Sequence, residues 1–589
     1  MSVAAVSQAG TTRARFRFGP LWLVAPGLVF LIIFFLVPVA RLMGLSFENA
    51  DTGAITGAHY TRIFDTDVYF RVLLITFRIA ALTTMFSLLF GYPLAYWLSR
   101  LPERKRGMMI LLVMVPFWTS YLVKSFAWVI LLGRTGVINQ LGLGSGVIGS
   151  PLEMLHNEFG VMIGMVHAML PLAVLTMLPV MSGIDRRLTQ ASGTLGGADS
   201  AKSFWLVYFP LSLPGAAAAG LLTFISSLGF FIVPALLGGR QQTMLAQLII
   251  VQVQEILNWA FAGGALAAMM LVAALVTCWV YDRVFGLSSL SGDTGAAHKG
   301  KNGILRNIGL RILEISALAS SRIAMAVRTL LGQAITKRLL GIYCFLSCAF
   351  LMLPTLIVIP IAFTSSQFLE FPPPGFSLDW FRAYFTSDLW LSATVRSFGV
   401  AFATAILATV IGGFAALALA RSRSRWAGLI FAFFLAPMIV PRIVIAVGLF
   451  YLFAQIGLVA TNTGLVIGHT VLALPFAFVA IAAILKNYDW RLDQAAATLG
   501  ANKVQALRFV TVPLIRSGLT AAFLFAFITS FDELTVAIFV SGGIKTTLPK
   551  QMWDDMILQL NPTLAAVSVV VFLIVTTLLL AAEKLRRSS

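Results

Sequence analysis

Apolar stretches of about 18 residues or more recur along the whole chain between short polar connections. This is the spacing of membrane-crossing helices, because a hydrocarbon core of roughly 30 Å takes about 20 apolar residues to cross. The pattern predicts spans near 20–42, 72–98, 108–131, 158–180, 208–236 and 262–284. A second six follow near 339–362, 396–420, 427–453, 463–485, 514–540 and 563–583, after a long polar gap. The expected fold class is an all-α polytopic membrane protein of about 12 transmembrane helices in two tandem six-helix units. The expected divisions are an N-terminal tail over 1–19, a first repeat over 20–286, a linker over 287–338 and a second repeat over 339–589.

The two sets repeat each other in register. Asp67 meets Asp388, Gly91 meets Gly412, Arg100 meets Arg421, Pro116 meets Pro437 and Gly136 meets Gly457, each 321 positions on. The offset then falls to 304, which pairs Gly160, Gly164, Pro171 and Gln190 with Gly464, Gly468, Pro475 and Gln494. From Pro210 and Pro513 through Asn258 and Asn561 it is 303. Two units in the same orientation imply a pseudo-twofold axis along the membrane normal, with a solute path at their interface. That geometry favours a transporter over an enzyme.

Composition agrees. Only 11% of residues are charged and 59% are hydrophobic, whereas soluble domains carry about 25% charged residues. One soluble enzyme domain and a single-span receptor are both excluded. The net charge of +19 would suggest nucleic acid in a soluble chain. Here the basic residues gather in the tail, the Arg100–Arg106 loop, Arg186 and Arg187, the linker, Arg421–Arg425, Lys486–Arg516 and the last residues. By the positive-inside rule these lie in the cytoplasm with both termini, so the basicity sets topology and no nucleic-acid role is needed. Arg13, Arg15 and Arg17 precede an apolar run that lacks a small-residue cleavage site, which reads as an uncleaved first span.

Cys278, Cys344 and Cys348 sit singly in apolar runs and form neither a disulfide framework nor a metal site. Gly295 to Asn302 nearly spells a phosphate-binding loop, but Asn302 stands where Ser or Thr should hold magnesium and no buried strand precedes it. Leu305, Ile308, Ile312 and Ile315 share helical spacing in the basic linker, part of which is expected along the membrane surface. His167 and His469 lack clustered ligands and read as buried, hydrogen-bonded side chains.

In each half a small-residue-rich loop follows the fourth span. The first runs Gln190-Ala191-Ser-Gly-Thr-Leu-Gly196-Gly197-Ala198-Asp199, and the second Gln494-Ala495-Ala496-Ala-Thr-Leu-Gly500-Ala501-Asn502. Alanines favour a short helix and the glycine after them allows a turn. Each loop reaches a proline, Pro210 or Pro513, thirteen residues beyond Gly197 or Gly500.

These loops resemble the cytoplasmic Glu-Ala-Ala-x-x-x-Gly loop of permease subunits of binding-protein-dependent ABC importers. The resemblance covers essentially the whole chain, as two permeases fused head to tail, and implies a type I importer-like fold. Within the family the chain looks most like the spermidine and putrescine class. Pro116-Phe-Trp-Thr-Ser120 and Ser227-Leu-Gly-Phe-Phe-Ile-Val-Pro234-Ala-Leu-Leu-Gly-Gly239 are similar to its first permease. Phe371-Pro-Pro-Pro-Gly-Phe-Ser377, Ser530-Phe-Asp-Glu533 and Thr547-Leu-Pro-Lys-Gln-Met-Trp553 are similar to its second. One departure is that both loops lack the family's glutamate.

The resemblance implies a bacterial inner-membrane protein that binds no cofactor itself. ATP and magnesium would sit on a pair of identical cytoplasmic ATPase subunits under the loops, and an extracytoplasmic solute-binding protein would deliver the cargo. Asp532 and Glu533, whose equivalents in the first half by the 303 offset are the uncharged Gly229 and Phe230, are candidates for handling a cationic cargo. The alternative is that they cap a helix or pair with Arg442 or Lys124. Lys124 and Arg442 lie within apolar spans and read either as gate or partner charges or, in preference, as snorkelling side chains near span ends. Trp118, Phe117 and Phe230 either line a cation path or simply pack. The rival mechanism is a secondary transporter of the six-plus-six major-facilitator type.

Overall fold

The computed structural model describes residues 20–49, 52–194, 200–285, 303–422, 424–543, 545–559 and 561–587. Among these residues the regular structure is helical, with three isolated bridges such as Glu48–Ile55. Among the described residues nine helices are long and apolar enough to cross a membrane, from Trp22–Leu45 to Asn462–Lys486. Two sharply bent pairs, Ala427–Ile439 with Arg442–Ile456 and Lys503–Leu514 with Arg516–Phe531, raise the number to eleven. The helix Thr563–Arg587 stands at the twelfth expected place.

The repeat is visible in single hydrogen bonds. Thr76 Oγ1 accepts from the Leu245 N–H at 2.8 Å, and in the second half Ser397 Oγ accepts from the Leu548 N–H at 2.7 Å. The His156 N–H donates to the Leu237 carbonyl and the Ala460 N–H to the Val540 carbonyl, both at 2.8 Å. His156 and Ala460 each take φ = 57°, an unusual conformation for a residue with a Cβ. Asn157 and Thr461 each cap the following helix through the N–H of a glycine, Gly160 or Gly464. Short π-helical segments, Phe204–Tyr208 and Leu507–Thr511, also fall at equivalent places after the two loops.

The first helix of each half packs on the other half. On one side, a Cβ at Gly27 would meet Phe434 and Ile411, and one at Gly448 would come within 3.1 Å of the Pro38 carbonyl oxygen. On the other, the Tyr343 hydroxyl donates to the Phe90 carbonyl at 2.9 Å, and the Leu351 carbonyl lies 3.0 Å from His167 Nε2. Phe350 adds ring contacts to Trp128 and His167. This reciprocal exchange ties the halves together through packing independent of the linker.

Two expectations change. The third, fifth, ninth and eleventh spans are interrupted inside the apolar runs that predicted them. The second part of the linker joins the seventh span in one 60-residue helix, Gly303–Ala362. At 1.5 Å per residue it is about 90 Å long, far more than a bilayer core needs. Trp205 Nε1 donates to Ser320 Oγ at 2.9 Å, so this helix touches the π segment beside the first loop. Ile315 is exposed; the side chains of Leu305, Ile308 and Ile312, and the whole of Gly295–Asn302, lie outside the described residues.

Candidate functional site

The interruptions come in two symmetric pairs. Glu103–Trp118 stops and Tyr121–Leu132 begins after extended Thr119 and Ser120; Ala427–Ile439 stops and Arg442–Ile456 begins after extended Val440 and Pro441, with a 94° bend. Pro116 and Pro437 precede these breaks by a few residues, inside the helices that end there. In the other pair, Phe209–Leu228 gives way to Ile232–Leu237 and Arg516–Phe531 to Thr535–Val540. Gly229 and Asp532 occupy equivalent positions with nearly the same backbone, φ −90°, ψ 5° and φ −94°, ψ 8°.

Ala427–Ile439 has 13 residues and Arg516–Phe531 has 16. At 1.5 Å per residue the breaks lie about 20 and 24 Å along these helices, within a hydrocarbon core of roughly 30 Å. Backbone freed from helical bonding at such depth is tolerated where it faces protein or a cavity. All four breaks border one cavity of about 140 Å³ between the halves, with Phe117, Tyr121, Phe230, Arg442, Asp532 and Glu533 in its wall. A Cβ at Gly229 would lie 3.4 Å from Pro441, so the backbones of opposite halves touch here.

Charge in this wall is asymmetric. Glu533 Oε1 accepts from the Val536 N–H at 2.9 Å and caps the short helix after the break. Its Oε2 lies 3.7 Å from Arg442 Nη1. Half-buried Asp532 meets the Ser120 side chain and the Tyr121 backbone. Lys124 is buried, with Nζ donating to the Pro116 carbonyl at 3.1 Å and lying 4.2 Å from the Tyr121 ring centre. That carbonyl is one that the break leaves without a helical donor. Lys124 and Arg442 are therefore not snorkelling: one satisfies a broken helix and the other pairs with Glu533. Tyr121 also meets Phe230 edge to face, with ring centres 5.0 Å apart.

Of the expected path residues, Asp532, Glu533, Phe117 and Phe230 reach the cavity between the halves. Trp118 borders a smaller one of about 20 Å³ with Ser120, Phe531 and Asp532. Glu533 takes the capping and pairing alternative, since it caps a helix and lies beside Arg442, and it also faces the cavity. Tyr121 is not among the residues the sequence singles out, whereas Arg442 is one of the two partners it offers for the acidic pair; the offset of 321 pairs the two directly.

On the second loop, Gln494 and Ala495 are exposed on the helix Arg491–Thr498, with Ala496 partly covered. Gly500 follows at φ +88°, with no atom within 4 Å of a Cβ built there, and leads to Ala501. Leu499, Val504 and Phe509 are 88%, 71% and 68% exposed, an apolar surface beside this turn. Asp493 fastens the loop: it accepts from Arg421 at 2.6 Å and from Tyr488 and Thr511 at 3.0 Å each. Burial raises the Tyr488 pKa, which keeps the hydroxyl a donor. Gln190 and Ala191 are exposed on the first loop's helix, Arg186–Thr194; Gly196, Gly197 and Ala198 lie outside the described residues. Thr189 stands in place of Asp493, and the first loop is held by hydrogen bonds from Ser203 to the Thr189 carbonyl and from Arg186 to the Arg100 carbonyl.

His167 and His469 are both buried and hydrogen bonded, His469 Nδ1 to Ser530 Oγ at 2.8 Å. Among the described residues no three His, Cys, Asp or Glu side chains are grouped to hold a metal.

Residues 408–587 match the family model described as the binding-protein-dependent transport system inner membrane component. The chain is 32% identical over 251 residues to the spermidine/putrescine transport system permease protein PotB of Escherichia coli, covering 42% of this chain and 90% of that one. It is 29% identical over 247 residues to the corresponding protein PotC of Haemophilus influenzae, covering 42% of this chain and 96% of that one. A crystal structure of a bacterial ABC transporter involved in the import of the acidic polysaccharide alginate aligns with 45% of this chain and 95% of its own at 18% identity and a TM-score of 0.40. With paired helix breaks inside two exchanged six-helix units and this extent of likeness to PotB, the chain belongs to the family of inner-membrane permease components of binding-protein-dependent transport systems.

Proposed function

We propose that the chain forms the translocation path of an ATP-driven importer for a small polyamine such as putrescine or spermidine. The observation that carries this reading is the meeting of four helix breaks, two from each half, around one cavity whose wall contains two carboxylates. Broken helices at the interface of structural repeats are where transporters hold cargo and where rigid halves can rock about a fixed site. The polyamine class is supported by the names of the similar permeases and by Asp532 and Glu533.

The motor is external in this reading. Two cytoplasmic ATPase subunits seat under the loops at Gln190 and Gln494, and Leu499, Val504 and Phe509 supply apolar contact around the Gly500 turn. Closure of those subunits on ATP draws the loops together and opens the cavity toward a solute-binding protein on the other side. Both termini then lie in the cytoplasm with the loops. ATP hydrolysis by the chain in nanodiscs with its copurifying ATPase tests this directly. Hydrolysis should be stimulated by the cargo-loaded receptor, and Gly500→Val should abolish that stimulation. A side chain at φ +88° costs about 1–2 kcal/mol and reshapes the turn. Receptor-stimulated hydrolysis that survives Gly500→Val at the wild-type level would remove the loop from the coupling route.

A further inference from the structure

Glu533 is 1% exposed, and its Oε2 makes no hydrogen bond. A carboxylate inside a membrane protein ordinarily has both oxygens satisfied, because an unpaired charge at that depth is expensive. Here Arg442 Nη1 stops at 3.7 Å, beyond hydrogen-bonding distance, and the Arg442 side chain is 46% exposed. The guanidinium neutralises Glu533 without occupying its second oxygen.

We infer that Arg442 is a resident stand-in for the transported cation, and that an ammonium of the cargo displaces it from Glu533 Oε2. The inference rests on the reading of the chain as an importer permease for small cations. Exchange of one cation for another at Oε2 keeps Glu533 paired throughout, so neither loading nor release leaves its charge bare. The vacant position is an acceptor beside an anionic group, which selects an N–H cation over an anion or a neutral sugar.

Size and wall chemistry narrow the class to short diammonium alkanes. A cavity of about 140 Å³ is close to the engineered 150 Å³ cavity that holds benzene, so it takes roughly six heavy atoms. Butane-1,4-diamine has that size. Its methylenes would lie against Phe117, Tyr121 and Phe230, and its second ammonium would be drawn to Asp532 on the same break. The equivalent break in the other half carries Gly229 and Phe230, so the two halves share the task unequally: one supplies carboxylates, the other an apolar wall.

The test is equilibrium binding of radiolabelled butane-1,4-diamine to the full chain in nanodiscs, with uptake and ATP hydrolysis measured on the complete complex. Arg442→Gln removes the competitor and should tighten binding about tenfold. Glu533→Gln should weaken it at least tenfold; glutamine keeps a carbonyl for the Val536 N–H, so the helix cap remains. Asp532→Asn, which leaves Glu533 in place, should weaken binding to a lesser degree. A purely structural ion pair predicts that Arg442→Gln and Glu533→Gln shift binding in the same direction, or not at all, and either result overturns the inference. If the wild-type complex shows no receptor-stimulated ATP hydrolysis, the importer reading fails. Stimulated hydrolysis with unchanged diamine binding in Glu533→Gln rejects only the exchange site.

Discussion

Asp493 shows how one side chain can fix an exposed loop. Its carboxylate collects an arginine from the end of the Asp388–Arg421 helix, a phenol from the start of its own loop and a hydroxyl from the π segment after it. Hydrogen bonds to a charged group are worth about 1.5–3 kcal/mol each, and this cluster is mostly covered. Asp493→Ala should therefore destabilise the second loop by roughly 2 kcal/mol and reduce transport several-fold, while the first loop keeps its own contacts. Thermal unfolding in detergent alongside uptake would check both, and wild-type uptake in this variant would show that the anchoring is incidental. Asp532 and Glu533 were legible in the sequence because two acids in an apolar run are conspicuous. The preference for snorkelling at Arg442 and Lys124 fails because hydropathy places a charge along a span but cannot say which broken helix or carboxylate it faces.

At the level of elements, the spans emerged from apolar runs, but their interruptions did not. Transfer free energy registers side chains, whereas a break is a matter of backbone dihedrals. Prolines gave no simple signal either: Pro116 and Pro437 lie inside helices, and the chain leaves helical conformation only after Trp118 and Ile439. The clearer sign was the repeat itself, since Gly229 and Asp532 are alike in conformation despite different side chains. The seam between first helix and opposite half is a second place where elements constrain residues. A Cβ at Gly448 would stand within 3.2 Å of the Pro38 carbonyl carbon and oxygen, tighter than an ordinary contact. Gly448→Val should push the first helix outward and destabilise the protein by about 1–3 kcal/mol. A fall in unfolding temperature in detergent is the expected outcome, and an unchanged transition would contradict the close packing.

For the whole molecule, the reciprocal exchange of first helices makes the two halves mutually dependent even though the sequence reads as two complete units. Periodicity finds the units but is blind to which neighbour a helix chooses, so this exchange was not legible. It has a direct consequence for a chain cut within 286–302. The halves should stay associated after proteolysis at a site inserted there and migrate together on size exclusion, whereas either half expressed alone should fail to accumulate. Separation of the cut halves in mild detergent would contradict the exchanged packing. The linker helix is then available for a role beside the first loop, where Trp205 meets Ser320.

The most direct test of the central claim is uptake of radiolabelled putrescine into proteoliposomes containing this chain and its copurifying ATPase, with the receptor supplied on the side opposite the ATPase. The account predicts uptake that requires ATP and receptor together and is indifferent to proton and sodium gradients. Uptake driven by either gradient without ATP would contradict it and return the six-plus-six secondary transporter to first place.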